Sequence, residues 1–190
     1  MSDYNARPFL ESLKMGTACE AAVRRLLEQR GWKTWDTAAA VERGGYGIIH
    51  AGGKRIRLDR PAGKGPRILM QGAQLIAPDI LAERGDDMRW IEVKRKQLGV
   101  QWNRTHRAWV TGIDAHCFDH YQRVQACTGW AVWLVIWHAP SLKTGGPDGW
   151  TANSIAELGK IGGPESQETR PGMPRLRYFW ADKLRYLTPQ

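Results

Sequence analysis

Pro78-Asp79-Ile80-Leu81, followed by Trp90-Ile91-Glu92-Val93-Lys94, decides the reading of this chain. Twelve residues separate Asp79 from Glu92. Side chains along a strand alternate between its two faces. Glu92 and Lys94 therefore share one face of a short apolar strand, and Ile91 and Val93 share the other. Two opposite charges at positions a buried strand normally gives to apolar residues imply that they face something polar: a metal ion, a phosphate, or both. A solvated Glu-Lys pair on an edge strand is the plainer alternative. The context weighs against it. Apolar runs at Gln74-Leu75-Ile76-Ala77 and Trp90 to Val93 flank the pattern, and Gly85-Asp86-Asp87 supplies a turn between them.

Asp79, Glu92 and Lys94, read as Pro78-Asp79 and then Glu92-Val93-Lys94, resemble the signature of the PD-(D/E)XK nucleases. That superfamily includes restriction endonucleases, Holliday-junction resolvases and recombination exonucleases. The resemblance implies a Mg²⁺-dependent phosphodiesterase, with Mn²⁺ as a substitute. Asp79 and Glu92 would ligate the metal, with the Val93 carbonyl as a further ligand. Lys94 would orient or help deprotonate the attacking water and stabilise developing negative charge. Mg²⁺ takes oxygen ligands and needs only one or two carboxylates because it keeps several waters. Phosphodiester hydrolysis needs an activated water and a cation beside the phosphorus.

The family also implies further site residues. A glutamate on the first helix joins the metal site in many members, and Glu20 shares a face with Val23 and Leu27. Thr17-Ala18-Cys19-Glu20 is also a capping-box pattern, which gives Glu20 a structural alternative. On the second helix Tyr121 and Gln125 are candidate helpers, with core packing as the alternative for Tyr121. The implied fold is α/β (α+β): a restriction endonuclease-like core of order α-β-β-β-α-β, with a central mixed sheet flanked by helices. It would cover about residues 17–138 and a closing strand at about 176–181, with 139–174 as a surface insertion. DNA is the implied partner, and a homodimer is compatible with it.

Composition agrees. A chain of 190 residues suits one domain with a real core. Its formal charge of +9 points to a polyanion. The basic residues cluster: Lys54, Arg55, Arg57, Arg60, Lys64 and Arg67 in one Gly-rich stretch, Lys94, Arg95 and Lys96 at the site, then Arg104 and Arg107. Such residues hold phosphates without reading sequence. Base-reading elements are not identifiable, which favours an end- or structure-directed nuclease of repair, recombination or phage type. A non-catalytic nucleic-acid-binding module on the same fold is the alternative from another class.

Three cysteines (Cys19, Cys117, Cys127) give no disulfide framework. The first residues show no signal-peptide pattern, and the longest apolar run, Trp130 to Trp137, has eight residues. A soluble cytoplasmic protein without a membrane span is expected. Neither the P-loop nor the Gly-x-Gly-x-x-Gly fingerprint occurs, so no nucleotide cofactor is expected. Among the ten tryptophans, Trp130, Trp133 and Trp137 read as core, while Trp102 and Trp109 lie in a basic segment. His116 and His120 have the i, i+4 spacing of a helical metal pair but lack the HExxH glutamate.

The expected elements begin with a helix over 17–30 capped by Thr17. A strand at 32–37 and a hairpin around Ala51-Gly52-Gly53 follow. Further strands lie at 68–71, 74–81 and 89–94, and a loop or irregular hairpin at 97–111. A helix over 115–128 sits between Asp114 and Gly129, and leads into a strand at 131–137.

Overall fold

The computed structural model describes residues 6–41, 44–62, 64–70, 72–140, 146–163 and 175–187, and the side chains within these from residue 14 onward. Helix α1 (Ala6–Gln29) leads into β1 (Lys33–Asp36). Four strands, β2 (Tyr46–Ala51), β3 (Lys54–Asp59), β4 (Arg67–Met70) and β5 (Ala73–Ile76), make a small antiparallel sheet of their own. Then come β6 (Ile80–Arg84), β7 (Asp87–Lys96), β8 (Gln101–Asn103), β9 (Ala108–Asp114) and α2 (Ala115–Thr128). The chain continues through β10 (Ala131–His138), β11 (Gly149–Ser154), α3 (Ile155–Ile161), β12 (Leu176–Trp180), a 3₁₀ turn at Ala181–Lys183, and β13 (Tyr186–Leu187).

The central sheet has the order β1-β6-β7-β10-β11-β13. It is mixed: β6 and β7 are antiparallel, and β10 runs parallel to β7. Stripped of two insertions, the small sheet and the β8–β9 hairpin, the order is α1, β1, β6, β7, α2, β10. That is the α-β-β-β-α-β order expected from the sequence.

Two apolar layers sandwich this sheet. On one face Ile80, Ala82, Ile91, Val93 and Val135 meet Cys19 and Val23 of α1 and Trp32, which follows it. On the other, Leu81, Met88, Trp90, Val132, Leu134 and Ile136 meet Phe118, Tyr121 and Val124 of α2. The inner face of the small sheet joins that second layer through Ile49, Ile56, Leu58, Ile68 and Leu75. The turn at Gly52-Gly53 has φ of 52° and 68°, which a two-residue hairpin with right-handed twist requires.

Several expectations are corrected. Helix α1 begins at Ala6 and runs through Thr17, so Thr17 is not an N-cap and Glu20 belongs to no capping box. The apolar run 74–81 is two strands in two different sheets, because Pro78 interrupts it. The stretch 139–174 is not simply an insertion: β11 is the fifth strand of the central sheet, and α3 packs on β10 and β11. Its parts at 141–145 and 164–174 lie outside the described residues. The closing strand β12 pairs with β9 in a three-stranded sheet with β8, not with the central sheet. Asp114 stands at the N-cap of α2 but makes no side-chain cap bond, while Gly129 closes the helix at φ 74°. No described helix is long and apolar enough to cross a membrane.

Candidate active site

The site is made by an interruption of the β6–β7 ladder. Their pairing ends at Ile80 opposite Ile91. Two residues further, Pro78 would stand opposite Val93, but proline has no N–H to give to a ladder. The chain turns away there, and Thr37 holds the turn: its hydroxyl donates to the Pro78 carbonyl at 2.7 Å, and its amide to the Asp79 carbonyl at 3.0 Å. The Val93 amide, left without a strand partner, donates to Asp79 Oδ2 at 2.8 Å. A buried amide needs an acceptor. The aspartate after the proline supplies it, and Asp79 is thereby fixed against β7 beside Glu92.

Glu92 is 2 % exposed and Lys94 lies two residues along on the same face. Lys94 Nζ is ion-paired with Glu92 Oε1, while Glu92 Oε2 is buried without a partner among the described residues. Burial raises the Asp79 carboxyl well above the usual carboxylate range. Glu92 adds to the rise, and Lys94 and the Val93 amide oppose it. For Lys94, burial pulls the ammonium down, yet Glu92 and Asp79 outweigh it and the net shift is upward. In the protein alone Lys94 is therefore a persistent cation, better suited to holding negative charge than to taking a proton.

Glu20 reaches toward the same place from α1. Burial raises its carboxyl, then Asp36 and Glu92 raise it further, with Lys94 opposing. Asp36 itself is spent on its own turn, accepting from the amides of Ala38 and Ala39 at 2.8 and 2.9 Å. Tyr121, 1 % exposed on α2, faces Glu92, and burial followed by that carboxylate raises its phenol well above its ordinary value. Gln125 makes a bond to the backbone. Its Oε1 accepts the Val132 amide at 3.1 Å and straps α2 to β10. Among the described residues no group of three or more Asp, Glu, His or Cys side chains closes into a ready-made metal cage.

The basic candidates divide. Arg55, Arg57, Lys64, Arg104 and Arg107 are exposed, on the small sheet, its β3–β4 loop and the β8–β9 turn. Arg60 is half-buried and donates to the Ala38 carbonyl at 3.1 Å, so it holds the fold. Arg95 points to the opposite face of β7 from Lys94 and stacks on Trp137 at 5.3 Å. Lys96 lies on the site's own face. Its ammonium is lowered by burial first and then by Lys94, with Asp114 opposing. His116 is exposed, whereas His120 packs edge-on against it at 4.3 Å and accepts the Ile76 amide on Nδ1 at 3.1 Å. His120 is thus a strap to the small sheet.

Two neighbours escaped the sequence reading. Cys117 stands one turn before Tyr121 on α2, near enough for Lys94 to offset part of the rise that burial imposes on its thiol. His138 is fully buried beside Lys96, with burial and then that lysine holding its imidazole down to about 4. The i, i+4 step from Cys117 to Tyr121 was the available signal for the first.

No family model and no curated protein matches the chain. Among solved structures, it is similar to the Holliday junction resolvase Hjc of the archaeal hyperthermophile Archaeoglobus fulgidus. The TM-score is 0.45 at 11 % identity, over 89 % of this chain and 86 % of that one. A likeness of this size concerns the fold alone and assigns no residue.

Proposed function

We propose that this protein is a divalent-metal-dependent DNA nuclease, with Asp79, Glu92 and Lys94 as its catalytic group. One observation carries the reading. Two carboxylates are packed together at the end of the β6–β7 ladder with a third, Glu20, close by, against one ion-paired lysine. One oxygen of the buried Glu92 has no partner among the described residues. Buried charge without a counter-charge is costly. A purely structural site would have replaced it with apolar side chains. The donor set fits Mg²⁺ or Mn²⁺, which need only one or two carboxylates beside their waters.

Asp79 and Glu92 would hold the ion, with Glu20 and the Val93 carbonyl as outer or additional ligands. When bound, the ion would neutralise phosphate charge and lower the pKa of a water. The residues of the chain do the rest. The Val93 amide orients Asp79, and Tyr121 and Lys94 orient Glu92. Lys94, kept protonated, donates to a phosphate oxygen as charge builds there. Arg55 and Arg57 on the small sheet and Arg104 and Arg107 on the β8–β9 turn would offer phosphate contacts.

The test is cleavage of supercoiled plasmid, linear duplex and a four-way junction with Mg²⁺, with Mn²⁺ and with EDTA. Asp79→Asn, Glu92→Gln and Lys94→Ala should each slow metal-dependent cleavage by at least about a hundredfold. Three variants as fast as the parent would remove the assignment. Tight binding with no cleavage in any metal would instead favour a binding module.

A further inference from the structure

The strand that carries the candidate site continues into an arm. After Lys96 the chain turns into β8 and β9, and from Val93 to Ile113 it contains no Asp or Glu but Lys94, Arg95, Lys96, Arg104 and Arg107. The arm is well braced. The His106 amide donates to Asn103 Oδ1 at 3.0 Å across its turn, and β12 pairs along the other edge of β9. The His106 ring packs edge-on against Trp180 at 5.4 Å. Near the root, Asp114 at the end of β9 acts on Lys96 and Cys117, both neighbours of Lys94.

On this braced arm Trp102 is 46 % exposed, edge-on to Trp109 at 5.1 Å, and Leu98 at its base is 68 % exposed. Arg104 and Arg107 are exposed at the tip, with no carboxylate in ion-pair distance among the described residues. An exposed indole beside unpaired guanidiniums suits stacking on a base with phosphates on either side. A second copy of the chain is a poorer occupant, because the same arginines would face their like.

We propose that the β8–β9 hairpin is a DNA arm on which Trp102 stacks an unpaired base. The preferred substrate would then be DNA whose duplex opens a few nucleotides from the cleavage point. The proposal rests on the nuclease reading for that cleavage point. Trp102 lies opposite Trp109, five residues from Asp114. At about 3.3 Å per strand residue that is at most roughly 17 Å from the arm's root. At about 3.4 Å per nucleotide the opening falls within about five nucleotides. In uninterrupted duplex every base is stacked on its neighbours, and Trp102 has no face to meet.

The experiment uses the full-length Lys94→Ala protein and a fork with 2-aminopurine at single unpaired positions, against blunt duplex of the same sequence. The expected results are quenched fluorescence within the first few unpaired positions and roughly tenfold tighter binding to the fork. Trp102→Ala should remove the quenching and the preference, and Trp102→Phe should keep most of both. Arg104→Gln and Arg107→Gln should weaken fork and duplex alike and flatten the salt dependence. Equal affinity for fork and duplex, or no effect of Trp102→Ala, overturns the arm, while the nuclease reading stands if the parent still cuts with metal. Quenching and preference in a parent that cuts nothing overturns the nuclease reading alone. A parent that binds no DNA overturns both.

Discussion

The two faces of β7 show how one strand serves stability and chemistry at once. On one side Ile91 and Val93, 4 % and 5 % exposed, lie in a dry layer under α1. On the other, starting from the buried Trp90, the residues become Glu92, Lys94 and Lys96 under α2. The neighbouring β10 registers Leu134, Ile136 and His138 against these three. Alternate residues of one strand thus meet opposite environments. The apolar face gains by excluding water. The polar face carries a buried carboxyl group, one oxygen of which has no partner among the described residues.

The sharpest way to break this comparison is to change one residue on each face. Lys94→Ala should lose at least about a hundredfold in metal-dependent plasmid cleavage. It leaves Glu92 buried and unpaired, so a loss of stability on the order of 3 kcal/mol should accompany it in denaturant unfolding. Ile91→Ala should cost about 3 kcal/mol in the same unfolding measurement through its cavity. Its cleavage rate, taken well below the midpoint, should stay within a few-fold of the parent. Similar activity losses in both variants would show that the two faces are not separable.

His138 extends the polar face and sharpens the contrast by pH. Its imidazole is held neutral, with a pKa of about 4 against an ordinary 6.5, chiefly by burial and then by Lys96. The unfolded chain therefore binds the proton more readily between those values, and stability falls as pH drops from about 6.5 to about 4. The full loss is about 3 kcal/mol. Thermal melts across that range should show a shallower fall in His138→Gln than in the parent. Identical profiles would mean that the imidazole is not held neutral. The smallest effect is expected at Gln125→Ala, which frees the Val132 amide from its strap. It should cost about 1 kcal/mol and leave cleavage unchanged. A large loss of activity there would make Gln125 a helper of the site.

Asp79 entered only through the resemblance to the nuclease signature, whereas Glu92 and Lys94 could be placed on one face of a strand before any coordinates were known, because period-two alternation is a local rule. The same holds for α2, whose cap glycine and spacing mark both its ends, and for the hairpin at Gly52-Gly53. The start of α1 was hidden, because Gly16-Thr17 imitates a helix boundary while tertiary contacts of α1 with β1, β6 and β7 carry the helix through it. The division of 74–81 between two sheets was hidden too, since an apolar run does not say which partner each half will meet. The bonds of Gln125 to Val132 and of Arg60 to Ala38 were hidden as well, because spacing along the chain does not reveal such partners.

The sequence by itself therefore determined which residue types alternate along β7, where Pro78 forbids a ladder bond, and the basic balance of the chain. Only the tertiary structure decided that Asp79 answers the unpaired Val93 amide, that Glu20 approaches from the far helix, and that Lys94 pairs with Glu92. Backbone periodicity is local and can be read along the chain. Burial, like-charge crowding and the partner of each polar atom depend on segments distant in sequence, and exist only once the sheet and its helices have closed around them.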